Sequence, residues 1–156
     1  MEKEMSQLID ESIKLELNVA SLYLVFYDLF PADADFWWQL ILEEKNHATL
    51  IRGARDAFIS PVLFPREMLA PNLKTLEEAN NNLTAIIEQY KKKPPTRLEA
   101  FNTAVEVEES AGEIHFQKAM TNTAKTDIME VFQKLNNDDK DHADRIRAYM
   151  KEKKIK

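Results

Sequence analysis

Glu43-Glu44-Lys45-Asn46-His47-Ala48 and Asp138-Asp139-Lys140-Asp141-His142-Ala143 are one phrase written twice, 95 residues apart. The match continues in Ile51-Arg52 against Ile146-Arg147. Each phrase sets a carboxylate three residues before a histidine, so on a helix both side chains leave one face and can hold one metal ion. One such spacing arises easily in a chain with 27 acidic residues. Two in matched register point to a duplicated half-site. The third and last histidine, His115, falls near the same level of the chain's second half.

Around the phrases the sequence reads as helix. Apolar residues recur at spacings of three and four in four long segments. The first is expected from Lys3 to Leu29, ending before Pro31. The second is expected from near Asp33, a candidate N-cap, to about Phe58. Pro61, Pro65 and Pro71 exclude regular helix after it. A shorter helix should open at a capping box, Thr75-Leu76-Glu77-Glu78, and end near Lys92 before Pro94-Pro95. A second capping box, Thr96-Arg97-Leu98-Glu99, opens the third long helix, which should run to about Asn122. The fourth should run from about Thr126 to Glu152. Short connections make the paired helices antiparallel neighbours, and the segment between the pairs is long enough to recross a bundle. The expected fold is therefore all-α: a four-helix bundle within one domain, residues 1–156. It comprises a hairpin at 3–58, a long crossover at 59–95 containing the short extra helix, and a hairpin at 96–152.

Every apolar seam is interrupted near its middle by a carboxylate: Glu16, Glu44, Glu108 and Asp139 in chain order. Each lies at a similar distance from its hairpin turn, so all four should meet in one layer roughly 20 Å from that end. Ile13-Lys14-Leu15-Glu16, followed by Ala20 and Tyr23, also matches Val105-Glu106-Val107-Glu108, followed by Gly112 and His115. Four carboxylates carry four negative charges, which two divalent cations would balance; without them the layer would bury like charges. The candidate metal ligands are Glu16, Glu44, His47, Glu108, Asp139 and His142. Gly112, read as lying mid-helix, is paired by the repeat with Ala20, and the two could leave room for a small oxidant.

Composition narrows the function classes. The chain has no cysteine, which excludes cysteine-based zinc sites, iron–sulfur clusters, thiol catalysis and disulfides. Two glycines in 156 residues argue against nucleotide-cradling loops. A net charge of −6 disfavours generic nucleic-acid binding. The most apolar stretch, Leu22 to Phe30, is too short to span a bilayer. Without a signal-like N-terminus or disulfides, a cytoplasmic location is expected. The first helix is apolar on more than one face, with Leu8, Leu15 and Leu22 off the seam; the crossover or a second subunit must cover it, and a homodimer is expected.

One Glu from each of two helices, plus a carboxylate-x-x-His from each of two others, is similar to the ferritin-like di-iron carboxylate proteins. Within that superfamily the chain most resembles rubrerythrin. The shared features are Glu16 with Tyr23 seven residues on, the two histidine phrases and the internal duplication, across all four long helices. The resemblance implies that Glu44 and Asp139 bridge two metals, that Glu16 and Glu108 each cap one, and that His47 and His142 are nitrogen ligands. It implies two iron ions, with manganese or zinc able to occupy the same donors. The implied activity is a non-haem di-iron oxidoreductase that oxidises Fe(II) and reduces hydrogen peroxide or dioxygen. The alternatives are a metal-binding or iron-storage protein with little turnover, or a degenerate bundle serving as an interaction module.

The chain departs from the family at three places. Asp139 stands where a Glu is usual. His115 replaces an aromatic and could be an extra ligand, a proton donor or a polar residue hydrogen-bonded behind the ligands, as Tyr23 could be. A cysteine-based rubredoxin domain is missing, so electrons must come from an external donor or from Fe(II) itself. The family's further carboxylate on the third helix has Glu106 and Glu109 as its nearest counterparts, neither squarely on the seam.

Overall fold

The computed structural model describes residues 2–57, 64–124, 127–136 and 141–156, and of these all side chains but those at 111, 112, 114–116 and 128. α1 (Glu2–Leu29) runs without a glycine or proline and stops where Phe30 leaves the helical region ahead of Pro31. A single 3-10 turn, Pro31–Asp33, reverses the chain into α2 (Ala34–Ala57). Contacts between the two helices step symmetrically away from this turn: Tyr27 against Trp38, Glu16 against His47, Asp10 against Arg55. The pair is therefore antiparallel. Asp33 does not spend its carboxylate on capping α2. It is buried and accepts two bonds from Arg97 and one from Tyr149. Those bonds tie the turn to two elements from the far half of the chain.

A second 3-10 turn, Arg66–Met68, leads to α3 (Leu73–Lys92). The capping residue is Asn72 rather than Thr75. Its side chain accepts from the Thr75 backbone N–H at 2.8 Å, so the helix begins three residues earlier than the capping-box reading places it. α3 runs parallel to α1, with Asn80 beside Glu11 and Asn18, and Tyr90 beside Phe26. It carries the chain back to the turn end. Its buried stripe is Leu76, Asn80, Leu83 and Ile87, spaced four, three and four. Asn80 is tolerated there because Glu11 and Asn18 satisfy its amide.

With α3 packed along α1, Leu8, Leu15 and Leu22 are fully or almost fully buried inside the chain. That apolar excess therefore gives no reason to invoke a second subunit. The large apolar side chains left exposed on α1 and α2 are different ones: Leu17, Leu24, Trp38 and Leu42.

The second half departs from the expected two long helices. The Thr96–Glu99 capping box is present and opens α4 (Arg97–Glu108). The chain then breaks at Glu109 and Ser110, Ser110 being extended, and restarts as α5 (Ala111–Thr121). Gly112 thus lies in the first turn of α5, not mid-helix, where its helix penalty is relieved. α6 (Asp127–Leu135) and α7 (His142–Glu152) replace the single fourth helix. Asp141, immediately before α7, has φ 54°, a left-handed conformation that Asp adopts more readily than most residues.

α5 and α6 meet through Gln133 on the carbonyls of Ala119 and Asn122, and α4 and α7 through Phe101 against Tyr149 and Glu108 against His142. Both pairings are antiparallel. All described elements are helical, with seven α-helices and no strand among the described residues, and no helix is long and apolar enough to cross a membrane. Between the turn and the middle of the molecule sits an aromatic floor. Tyr23, Phe26, Trp37 and Phe101 are fully buried, and the Trp37 ring lies 4.5 to 5.5 Å from the other three.

Candidate metal centre

Four elements are long enough, and correctly phased, to aim acids and histidines at one point above that floor. Glu16 comes from the middle of α1, Glu44 and His47 from one face of α2, Glu108 from the last residue of α4 and His142 from the first residue of α7. All five are buried, none more than 3% exposed. Glu113 from α5 joins them, fully buried. The donor atoms form two groups, each within 4.8 Å: Glu16, Glu44, His47 and Glu113 in one, Glu44, Glu108 and His142 in the other. Glu44 belongs to both.

Both imidazoles present Nδ1 to the acids. His47 Nδ1 is 3.4 Å from Glu16 Oε2 and 3.5 Å from Glu44 Oε2. His142 Nδ1 donates to Glu44 Oε1 at 2.7 Å and lies 3.4 Å from Glu108 Oε1. The rings stack at 5.2 Å and are tilted by only 13°. Tyr23, the aromatic of the first seam, donates its hydroxyl to Glu108 Oε1. One end of that carboxylate is thereby oriented from the aromatic floor.

The protein alone leaves this layer costly. Glu16 Oε2, Glu44 Oε2, Glu108 Oε2 and both oxygens of Glu113 are buried without a hydrogen bond among the described residues. An unsatisfied buried polar atom costs about 1–3 kcal/mol, and more when charged. The acids respond by holding protons. Burial, offset in part by His47 and reinforced by Glu44, pushes the Glu16 carboxyl up to about 8. Burial and the Glu108 charge push Glu44 up to about 7. Burial and the three neighbouring acids drive Glu113 well above the carboxylate range. Glu108 is the exception: burial raises it, but His142 beside it and the Tyr23 hydroxyl outweigh burial and hold it low. His142 moves the opposite way to an ordinary buried histidine. Burial favours its neutral form, yet Glu108 and Glu44 overcome this and raise it well above its usual value.

The layer fits a metal pair in its chemistry. Glu16, Glu44, Glu108 and Glu113 supply four negative charges, which two divalent ions would neutralise. The orphaned oxygens are ready acceptors for them, and mixed carboxylate and imidazole donors suit iron, manganese or zinc. These buried Glu and His groups could hold a metal ion.

Of the residues expected from sequence, Glu16, Glu44, His47, Glu108 and His142 are brought together, with Tyr23 bonded to one of them. Asp139 lies outside the described residues, as does the side chain of His115. The continuous helix expected across 139–142 is interrupted at left-handed Asp141. Glu106 and Glu109 are exposed, and Glu109 pairs instead with Arg147.

Glu113 escaped the sequence reading because five residues on a continuous helix place it about 140° from Glu108. The extended Ser110 resets that phase. The available signal was Ser110-Ala111-Gly112, where Ser and Gly, weak helix formers, flank a single alanine just before the acid. The chain matches no protein-family model, and no curated protein or solved structure matches it significantly.

Proposed function

We propose that this protein is a non-haem di-iron oxidoreductase of ferritin-like, rubrerythrin-like type, oxidising Fe(II) while hydrogen peroxide or dioxygen is reduced. The observation that carries the reading is the sharing of Glu44 between two buried carboxylate–histidine groups. Glu44 would bridge the two ions. Glu16, His47 and Glu113 would complete one side, and Glu108 and His142 the other. Two Fe(II) ions held there would supply the two electrons that cleave an O–O bond, with the product oxygens leaving as water once protons are provided.

The chain's own residues supply the surroundings. The aromatic floor of Tyr23, Phe26, Trp37 and Phe101 excludes water from the turn side and keeps the local dielectric low. The Tyr23 hydroxyl fixes Glu108 Oε1 and leaves Oε2 free to coordinate. Glu16 and Glu113, protonated in the metal-free protein, must release protons on loading, so metal affinity rises with pH.

The test is anaerobic titration with Fe(II), followed by stopped-flow mixing with hydrogen peroxide and with dioxygen. The proposal expects a break near two Fe(II) per chain and rapid oxidation, faster with peroxide for rubrerythrin-like chemistry. Two bound ions that neither oxidant turns over would favour storage without catalysis. Binding of less than one ion would remove both readings.

A further inference from the structure

Directly behind the His142 imidazole, on the side away from the acid layer, stands a carboxylate that the proposed ligand set does not use. Glu43 precedes Glu44 on α2 and points across to α7. It is 3% exposed. Its Oε1 accepts from Arg145 Nη1 at 2.6 Å, and its Oε2 faces His142 Nε2 at 3.6 Å. Neither Oε2 nor Nε2 has a hydrogen-bond partner among the described residues. A buried orphan acceptor therefore opposes a buried orphan ring nitrogen, slightly beyond bonding distance. Arg145 lies one helical turn after His142 on α7, so acid, ring and guanidinium form one line running from the layer to the partly exposed face of α7.

We propose that Glu43, held by Arg145, is a positioning residue for His142: it accepts the Nε2 proton and so keeps Nδ1 aimed at Glu44 and Glu108. This rests on the metal reading above and assigns a residue that the duplicated phrase did not single out. The chemistry is forced by the imidazole. A ring that gives the Nδ1 lone pair to a metal carries its proton on Nε2, and a buried N–H needs an acceptor. Glu43 Oε2 is the facing candidate, and closing the 3.6 Å gap requires a shift of well under 1 Å. The Arg145 bond keeps the Glu43 carboxylate ionised and stops it rotating toward the layer as a further ligand. Glu43 serves the His142 side, so its loss should affect one of the two metal positions and spare the other.

The experiment uses the full metal-free chain and Zn2+, which is redox-inert, so binding is read apart from turnover. Wild type should bind two Zn2+. Glu43→Gln keeps the size of the side chain but cannot accept from Arg145 and His142 at once. It should weaken one of the two Zn2+ affinities by about 10- to 100-fold and leave the other within about two-fold. In 15N spectra of the zinc-loaded wild type, the His142 ring should show Nδ1 bound and Nε2 protonated, with the Nε2 resonance shifted in the variant. Arg145→Met, at a partly exposed position, should weaken the same site by a smaller factor, and Arg145→Lys should restore part of it. If wild type binds two Zn2+ but both variants keep both affinities and the His142 spectrum, while unfolding at lower denaturant, the pair is only a structural ion pair and the assignment is wrong. If wild type binds no Zn2+, the metal reading itself falls, a result distinguishable from failure of Glu43 alone.

Discussion

Asn46 and Asp141 hold the same place in the repeated phrase, each one residue before its histidine, yet they have opposite backbones. Asn46 lies in the middle of a continuous 24-residue helix. Asp141 is left-handed and immediately precedes an 11-residue helix. The contrast runs through the molecule. The first half is two uninterrupted helices whose ligand candidates sit on regular seams. The second half reaches the same layer with shorter helices, placing Glu108 at the end of one and His142 at the start of another. Similar phrases therefore specify which residues meet without specifying how the backbone brings them there. Side chains at helix ends can be re-aimed by small backbone changes; those in mid-helix cannot.

The largest expected effect comes from the residue that both halves share. Glu44→Ala removes the only acid common to the two groups, so metal binding should fall from two ions per chain to below one, read by titration with elemental analysis. If two ions still bind, the halves act independently and the shared-ligand geometry is wrong. A sharper comparison sets Glu113→Ala against Glu109→Ala. The first should weaken the site that contains His47 by at least about 10-fold, since loss of even an outer partner costs that much. The second removes an exposed acid and should leave both affinities unchanged.

How far the molecule was legible follows the same division. The first hairpin was readable nearly to the residue, because helices without internal breaks keep a 3.6-residue period that apolar spacing reports directly. Glu16, Glu44 and His47 were read from it. In the second half Glu108 and His142 were readable as residues, but the backbone between them was not. A one-residue reset at Ser110 moves every later side chain by about 100°, which hid Glu113. Asp33 and Asn72 illustrate a smaller ambiguity. Both are good helix-capping residues, and only tertiary context decided that Asn72 caps while Asp33 binds Arg97 and Tyr149.

Stability of the metal-free protein should vary with pH in a way that exposes the acid layer. Glu16 and Glu44 have folded values raised from 4.5 to about 8 and about 7. A raised group contributes stability that is fully present below its unfolded value and is lost as pH rises through its folded value. His142, also raised, acts in the same direction, whereas Glu108, held low, loses its contribution only as pH falls through its folded value. The metal-free chain should therefore melt at progressively lower temperature between the ordinary carboxyl range and about 8, by about 2–4 °C for each ~1 kcal/mol lost. Saturating Zn2+ should flatten or reverse the slope, because bound metal keeps the acids ionised. Equal slopes with and without metal, measured by calorimetry, would show that these acids are not the groups that bind it.

Two further substitutions measure the fastening of the halves. Asp33→Ala severs the bonds from Arg97 and Tyr149 that close the turn end, and should cost about 2–3 kcal/mol in denaturant unfolding. The smallest effect belongs to Asp141. Asp141→Val places a β-branched residue at φ 54° and should cost about 1–2 kcal/mol, whereas Asp141→Gly should be neutral or slightly stabilising. The corresponding change at Asn46, in regular helix, should show the opposite order, with glycine the worse residue.

The central claim is that two metal positions share Glu44 at the meeting point of two differently built halves. Anomalous diffraction from crystals of the iron- or manganese-loaded protein tests it most directly. The account predicts two peaks per chain, one beside Glu16, His47 and Glu113, the other beside Glu108 and His142, with Glu44 reaching both. A single peak, or two peaks of which neither contacts Glu44, would contradict it.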